Sequence, residues 1–295
     1  MRILAAVFLA SATIVAPHTA TTTTTTTTTT TDPTPRPRPH SRNENPFANP
    51  GIRSFLASRA DDLTAGLYDV ATGRTYLYRP GVLEVTASLI KVDILAVLLR
   101  EAQASHRPLS TSEQALATVM IEDSNNVAAQ ELWNEIGGFG LSSDVYGTGG
   151  YYAITNFDHL LGFRQTVTNW GWGYMESTPA DFLRLLRAVW LPDPILTSAS
   201  AHYERSLMES VTAAQRFGVP SGVPSSATVG VKVGWLFEPT IEWQFNSAGY
   251  VHAGTTTYLA VIMTDRNPNQ TYGIDTLDTL GSLLWHFENS LPPSR

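Results

Sequence analysis

Residues 86–102 read TASLIKVDILAVLLREA. From Leu89 on, Leu, Ile, Val and Ala dominate, and the run reads as an apolar helix. Within it Ser88 and Lys91 stand three residues apart. Side chains at i and i+3 share a helical face, so the hydroxyl and the amine can meet. Two readings follow from the stretch alone: a helix cap at Thr86 or Ser88 with a snorkelling lysine, or a nucleophile beside its base. A two-residue pattern does not choose between them.

The rest of the chain bears on the choice. Of its 19 basic side chains only Lys91 and Lys232 are lysines. Arginine is always protonated, whereas a lysine ammonium can lose its proton when buried. Two positions that keep lysine in an otherwise arginine-only chain suggest chemistry that arginine cannot perform.

Residues 1–20, MRILAAVFLASATIVAPHTA, have a basic start, a short apolar run and small residues after it, the form of a secretory signal peptide. Residues 21–48 begin with an unbroken threonine run and continue with alternating proline and arginine. Such composition cannot bury a core and reads as an extended linker. The expectation is a secreted or cell-wall-associated protein whose folded domain spans 49–295. With no cysteine, that domain has neither disulfides nor thiolate metal ligands. From residue 51 on, 24 acidic side chains face 15 basic ones, a net charge of about −9. Nucleic-acid binding needs the opposite balance. No further run is long enough to span a membrane, and the domain is expected to act as a monomer.

Residues 63–81 alternate apolar and polar side chains around Ala71-Thr72-Gly73, a β-hairpin pattern. After the helix with Ser88 and Lys91, helical stretches are expected near 111–119 and 127–136. A loop rich in Gly, Tyr and Trp is expected to run from there to about Ser177. Thr178-Pro179 opens another helix, with proline in the first turn, and a further one is expected near 196–211. From Val229 the chain turns to strands, VGVKVGW, WQFNSAGYVH and YLAVIMTD, and it closes with a helix near 274–289. Strands at both ends with helices between give an α+β fold, one antiparallel sheet with flanking helices and an inserted all-helical region.

Three polar islands punctuate this pattern: Ser88-x-x-Lys91, Ser124-Asn125-Asn126 between two helices, and Lys232-Val233-Gly234 on a late strand. In order and context they resemble the S-x-x-K, S-D-N and K-T-G signatures of the penicillin-recognising serine hydrolases, specifically the class A β-lactamases. The likeness runs through the opening hairpin, TPADFLRLL, WLFEP and NSAGYVHAGTTTYLAVIMTDRNP. It implies that Ser88 is acylated, that Lys91 accepts its proton, and that Ser124 carries protons between the two lysines. Asn126 would hold Lys91 or a substrate amide, and Lys232 would attract a substrate carboxylate. Gly234 would let the ligand lie against the strand, and the N–H groups of Ser88 and Trp235 would form an oxyanion hole. The implied substrate is a small molecule, a β-lactam or a D-alanyl peptide or ester, and no cofactor or metal is implied.

Three positions depart from the pattern. Asn125 replaces an aspartate. Val233 replaces a hydroxyl residue that helps to bind the substrate carboxylate. The segment before Thr178, GFRQTVTNWGWGYMES, lacks the glutamate and asparagine with which the class positions its deacylating water. Its one carboxylate, Glu176, stands too near Thr178-Pro179 to match. Glu122, just before the Ser124 motif, is the nearest alternative base, or else a solvated charge at a helix end. The aromatic segment is either a wall of the site or packing. Rival readings are weaker: no G-x-S-x-G elbow is present, His159 and His252 lack a telling context, and no histidines fall at metal-ligand spacing. A catalytically inactive module that binds cell-wall peptide fits Val233 and the missing glutamate. It gives no reason to keep Ser88, Lys91, Ser124 and Lys232 together.

Overall fold

The computed structural model describes residues 43–59, 62–136, 148–169 and 171–292. The expected signal peptide and the threonine run lie outside them. Packed chain begins slightly earlier than residue 49: a 3₁₀ turn covers Pro46–Ala48, and the Phe47 ring is buried in the core. Asn49 then caps α1 (Pro50–Ser58), accepting from the N–H groups of Gly51 and Ile52.

The expected hairpin forms as β1 (Asp62–Asp69) and β2 (Arg74–Tyr78). Asp69 closes its turn, accepting from Ala71 N and Thr72 Oγ1. Three long strands, β5 (Thr228–Glu238), β6 (Glu242–Ala253) and β7 (Thr256–Asn267), complete an antiparallel sheet in the order β2-β1-β7-β6-β5. Its register is continuous apart from one irregularity between Trp243 and Phe245. The closing helix, α8 (Gln270–Asn289), packs on β6 and β7, and Gly273 makes room there for the Phe245 ring.

Strand alternation puts the other half of the molecule on the opposite face. Gly230 of β5 lies against the Trp190 ring, where a Cβ would come within 2.2 Å of it. Trp190 ends α6 (Pro179–Trp190), which packs on β1 and β7. Alongside run α2 (Lys91–Ala104), α3 (Thr111–Glu122), α4 (Asn126–Glu135) and α7 (Ser198–Glu209). Ser110 and Glu113 form a capping box at the start of α3. These helices are the inserted helical region.

One expectation fails. The stretch taken as loop up to Ser177 contains a helix of 14 residues, α5 (Thr148–Leu161). Its glycines read as loop punctuation, yet at Gly150 a Cβ would stand 2.5 Å from the Trp133 ring. Close approach to α4 requires that glycine, and burial of Ile154 and Phe157 outweighs its low helix propensity.

Candidate active site

Ser88 lies in a 3₁₀ turn, Ala87–Ile90, that runs directly into α2, and not inside the α-helix. The turn is tied down from two sides. Asn246 of β6, fully buried, donates to the carbonyls of Val85 and Thr86 at 2.8 and 3.2 Å. On the other side the Thr86 N–H donates to the Met175 carbonyl at 2.7 Å. The short strands β3 (Glu84–Val85) and β4 (Glu176–Ser177) pair next to it. Ala87 adopts a φ of 47°, in the left-handed region, which such over-determined surroundings can hold.

Lys91 is fully buried, and its Nζ meets four oxygens. They are Ser124 O at 2.6 Å, Asn126 Oδ1 at 2.7 Å, Ser88 Oγ at 3.0 Å and Ser124 Oγ at 3.2 Å. Carbonyl oxygens only accept, so the two shortest contacts take two N–H bonds. What remains faces the hydroxyls, as a third proton in the ammonium or as a lone pair in the amine. Burial, with the charge of Lys232 nearby, pulls the Lys91 ammonium down to about 6. Near pH 7 the amine form therefore exceeds the ammonium by about tenfold, and its lone pair can take the Ser88 proton.

Lys232 is also fully buried, and burial lowers it to about 7. It donates to Ser124 Oγ at 2.9 Å and to the Val233 carbonyl at 3.1 Å. Ser124 thus bridges the two lysines, and it does so from a left-handed backbone, φ 59°. Asn125 caps α4 through Ala128 N at 2.9 Å, a role its amide oxygen fills as a carboxylate would. At Gly234 a Cβ would fall 2.7 Å from Ser88 N and 2.8 Å from both Leu89 N and Thr86 O. Only glycine lets β5 lie this close to the Ser88 turn. Val233 faces the other side of the sheet beside Ser247 and is fully buried. Trp235 is half-buried, with its ring tilted against Phe217.

The structure therefore brings Ser88, Lys91, Ser124, Asn126, Lys232 and Gly234 together. Glu122 is not joined to them: it forms no hydrogen bond to Ser88, Lys91 or Ser124. It ends α3, its carbonyl accepts from Thr212 N and Oγ1, and its charge adds to the burial that raises the Tyr203 phenol on α7. Asp123 beside it is exposed.

What stands over the lysine comes instead from the aromatic segment. A 3₁₀ turn, Trp172–Tyr174, puts the Trp172 ring over Lys91 Nζ, 5.0 Å from the ring centroid. Trp172 Nε1 donates to Gln130 Oε1 of α4 at 3.2 Å. The segment is anchored by buried Asp181, whose carboxylate accepts from the N–H groups of Arg164, Gln165 and Thr166 and pairs with Arg184 at 2.7 Å. Sequence reasoning named neither of two partners, although it offered the aromatic segment as a wall of the site or as packing. Asn246, a polar residue amid a buried strand, offered a signal, as did Trp172, set between glycines in NWGWGY. Among the described residues, no group of three or more His, Cys, Asp or Glu side chains is arranged to hold a metal.

A serine hydroxyl in contact with a buried lysine amine, at the seam between a helical region and an antiparallel sheet, is an arrangement that can carry out acyl transfer. The model of the β-lactamase enzyme family (Beta-lactamase2) matches residues 105–287. That span holds Ser124 and Lys232, and begins after Ser88 and Lys91. Among solved structures, a class A β-lactamase from Bacteroides cellulosilyticus superposes with a TM-score of 0.70 at 16% identity, over 84% of this chain and all of that one. A β-lactamase from Chitinophaga pinensis gives 0.68 at 16% identity, over 80% and 97%. One from Streptosporangium roseum gives 0.65 at 21%, over 82% and 98%. A search of curated proteins found no match. The chain belongs to the β-lactamase enzyme family and has the fold of the penicillin-recognising serine hydrolases.

Proposed function

We propose that the protein is an exported serine hydrolase that opens β-lactams through an acyl-enzyme at Ser88 and releases that acyl group slowly. The observation that carries the reading is the contact of Ser88 Oγ with a buried lysine amine at 3.0 Å. In the acylation step the Ser88 Oγ–carbon bond forms and the lactam C–N bond breaks. The serine proton passes to Lys91 Nζ and, through Ser124 Oγ, to the departing nitrogen. The contacts of 3.0, 3.2 and 2.9 Å from Ser88 through Lys91 and Ser124 to Lys232 form a continuous path for it. Lys232, in its ammonium form, attracts the carboxylate that such substrates carry. Release then needs water: its oxygen bonds to the ester carbon, the C–Oγ bond breaks, and a proton returns to Ser88. General-base help with that water is worth about 10²–10⁴-fold. The segment that supplies the base in class A enzymes presents Trp172 here, and the backbone of Glu176, its one carboxylate, is held by Val85 and Val167.

A second reading, hydrolysis of a D-alanyl peptide or small ester, is favoured by the position of β5. It is the edge strand of the sheet and passes directly beside Ser88, where an extended peptide could add to it. Incubation with a penicillin and with a D-alanyl-D-alanine peptide, followed by intact mass over time, separates the two. A Ser88 adduct from the penicillin supports the first reading, and turnover of the peptide alone supports the second.

A further inference from the structure

We propose that Trp172 is a positioning residue that closes the Ser88–Lys91 pair off from water and thereby prolongs the acyl-enzyme. The inference rests on the Ser88 acyl-enzyme proposed above and names what regulates its lifetime. The ring centroid lies 5.0 Å from Lys91 Nζ. Subtracting about 3.5 Å for contact between the two groups leaves a gap of about 1.5 Å, below the roughly 2.8 Å diameter of a water molecule. On this side a water could reach the lysine only by displacing the indole.

The indole is tied at its solvent-facing edge and through its backbone turn. Its N–H is held by Gln130, and Tyr174 N closes the turn on Gly171 O at 3.0 Å. Val167 and Glu176 exchange two backbone bonds at the base of the segment, at 2.8 and 3.2 Å. The following residue, Ser177, pairs with Glu84, four positions ahead of the nucleophile. Shield and nucleophile therefore share one framework. The π face also favours positive charge on Nζ, which develops as Lys91 takes the serine proton. Trp172 thus assists formation of the ester and hinders its hydrolysis, and these are opposite effects on two separable steps.

The test acylates Ser88 with a penicillin and, separately, with p-nitrophenyl acetate, an ester that asks nothing of β-lactam recognition. Formation and loss of the adduct are followed by intact mass in the wild type, Trp172→Ala, Trp172→Phe and Gln130→Met, with thermal melts to check folding. Trp172→Ala should lose its adduct about tenfold faster while forming it more slowly, a gain set below the 10²–10⁴ of a true general base. Trp172→Phe, which keeps a π face, should recover most of the formation rate. Gln130→Met, which frees the indole without removing it, should fall between wild type and Trp172→Ala in adduct lifetime. Equal adduct lifetimes in the wild type and a folded Trp172→Ala overturn the proposal. If the acetate acylates Ser88 and the penicillin does not, the β-lactam reading fails, and the acetate lifetimes still decide the role of Trp172. A chain that neither probe acylates overturns both.

Discussion

Replacing Lys91 by arginine tests the base role directly, because it keeps a basic side chain but one that cannot give up its proton. Lys91, lowered to about 6, exists mainly as the amine near pH 7. An arginine of pKa above about 12 would offer the neutral form in fewer than one molecule in about 10⁵ at that pH. The loss seen will be smaller, since uncatalysed proton transfer to water sets a floor. General-base assistance is worth about 10²–10⁴-fold, and that is the expected fall in the acylation rate. Geometry adds to it: the larger guanidinium must replace an amine that is fully buried among four oxygens within 3.2 Å. Lys91→Arg should therefore acylate about as poorly as Lys91→Ala, whereas Lys232→Arg, which keeps a positive charge near the substrate, should be milder. The assay is the rate of Ser88 labelling by a fluorescent penicillin in folded protein. Labelling of Lys91→Arg within about threefold of wild type would refute the reasoning, since no arginine at that site could be the base.

Two further outcomes follow from the buried ionisable groups. Acylation by a penicillin needs Lys91 neutral and Lys232 charged, so its rate should rise through about pH 6 and fall above about pH 7. These limbs belong to the coupled pair. p-Nitrophenyl acetate carries no carboxylate and should keep its alkaline plateau, and identical profiles for the two probes would remove Lys232 from carboxylate binding. Glu84 is buried in β3 with neither carboxyl oxygen hydrogen-bonded, and burial together with Asp265 and Asp62 pushes it up to about 9. The folded state therefore keeps a proton that the unfolded chain releases above about pH 4.5, and this group's contribution to stability declines from there to about pH 9. Glu84→Gln should remove the decline, a relative gain of about 3 kcal/mol at pH 7 over pH 4. Denaturant titrations across that range check it, and parallel curves for the two proteins would contradict it.

Much of this architecture is legible in the sequence because its periodicities are strong. The hairpin around Ala71-Thr72-Gly73, the three late strands and the helix after Thr178-Pro179 all follow from local pattern and turn chemistry. Helix α5 does not, since what stabilises it is the fit of Gly150 against Trp133, a contact that exists only once α4 and α5 meet. The site divides in the same way. Ser88 and Lys91 are three residues apart, and the isolation of two lysines among arginines marks Lys232. Whether Glu122 reaches Ser88 depends on where α3 ends relative to α7, and proximity to Ser124 in the chain says nothing of that. Trp172 was visible as an aromatic between glycines, but its place over Lys91 is set by the Asp181 cage and the β3–β4 pairing. Such tertiary ties leave little trace in local pattern.

The most direct test of the central claim is the mass of the intact protein after brief exposure to a penicillin, followed as the free drug is removed. One adduct with the mass of the whole penicillin is predicted, since lactam opening expels nothing. It should map to Ser88, be absent from Ser88→Ala, and decay slowly. An adduct that persists in Ser88→Ala, or rapid penicillin turnover with no adduct ever accumulating, would contradict the account.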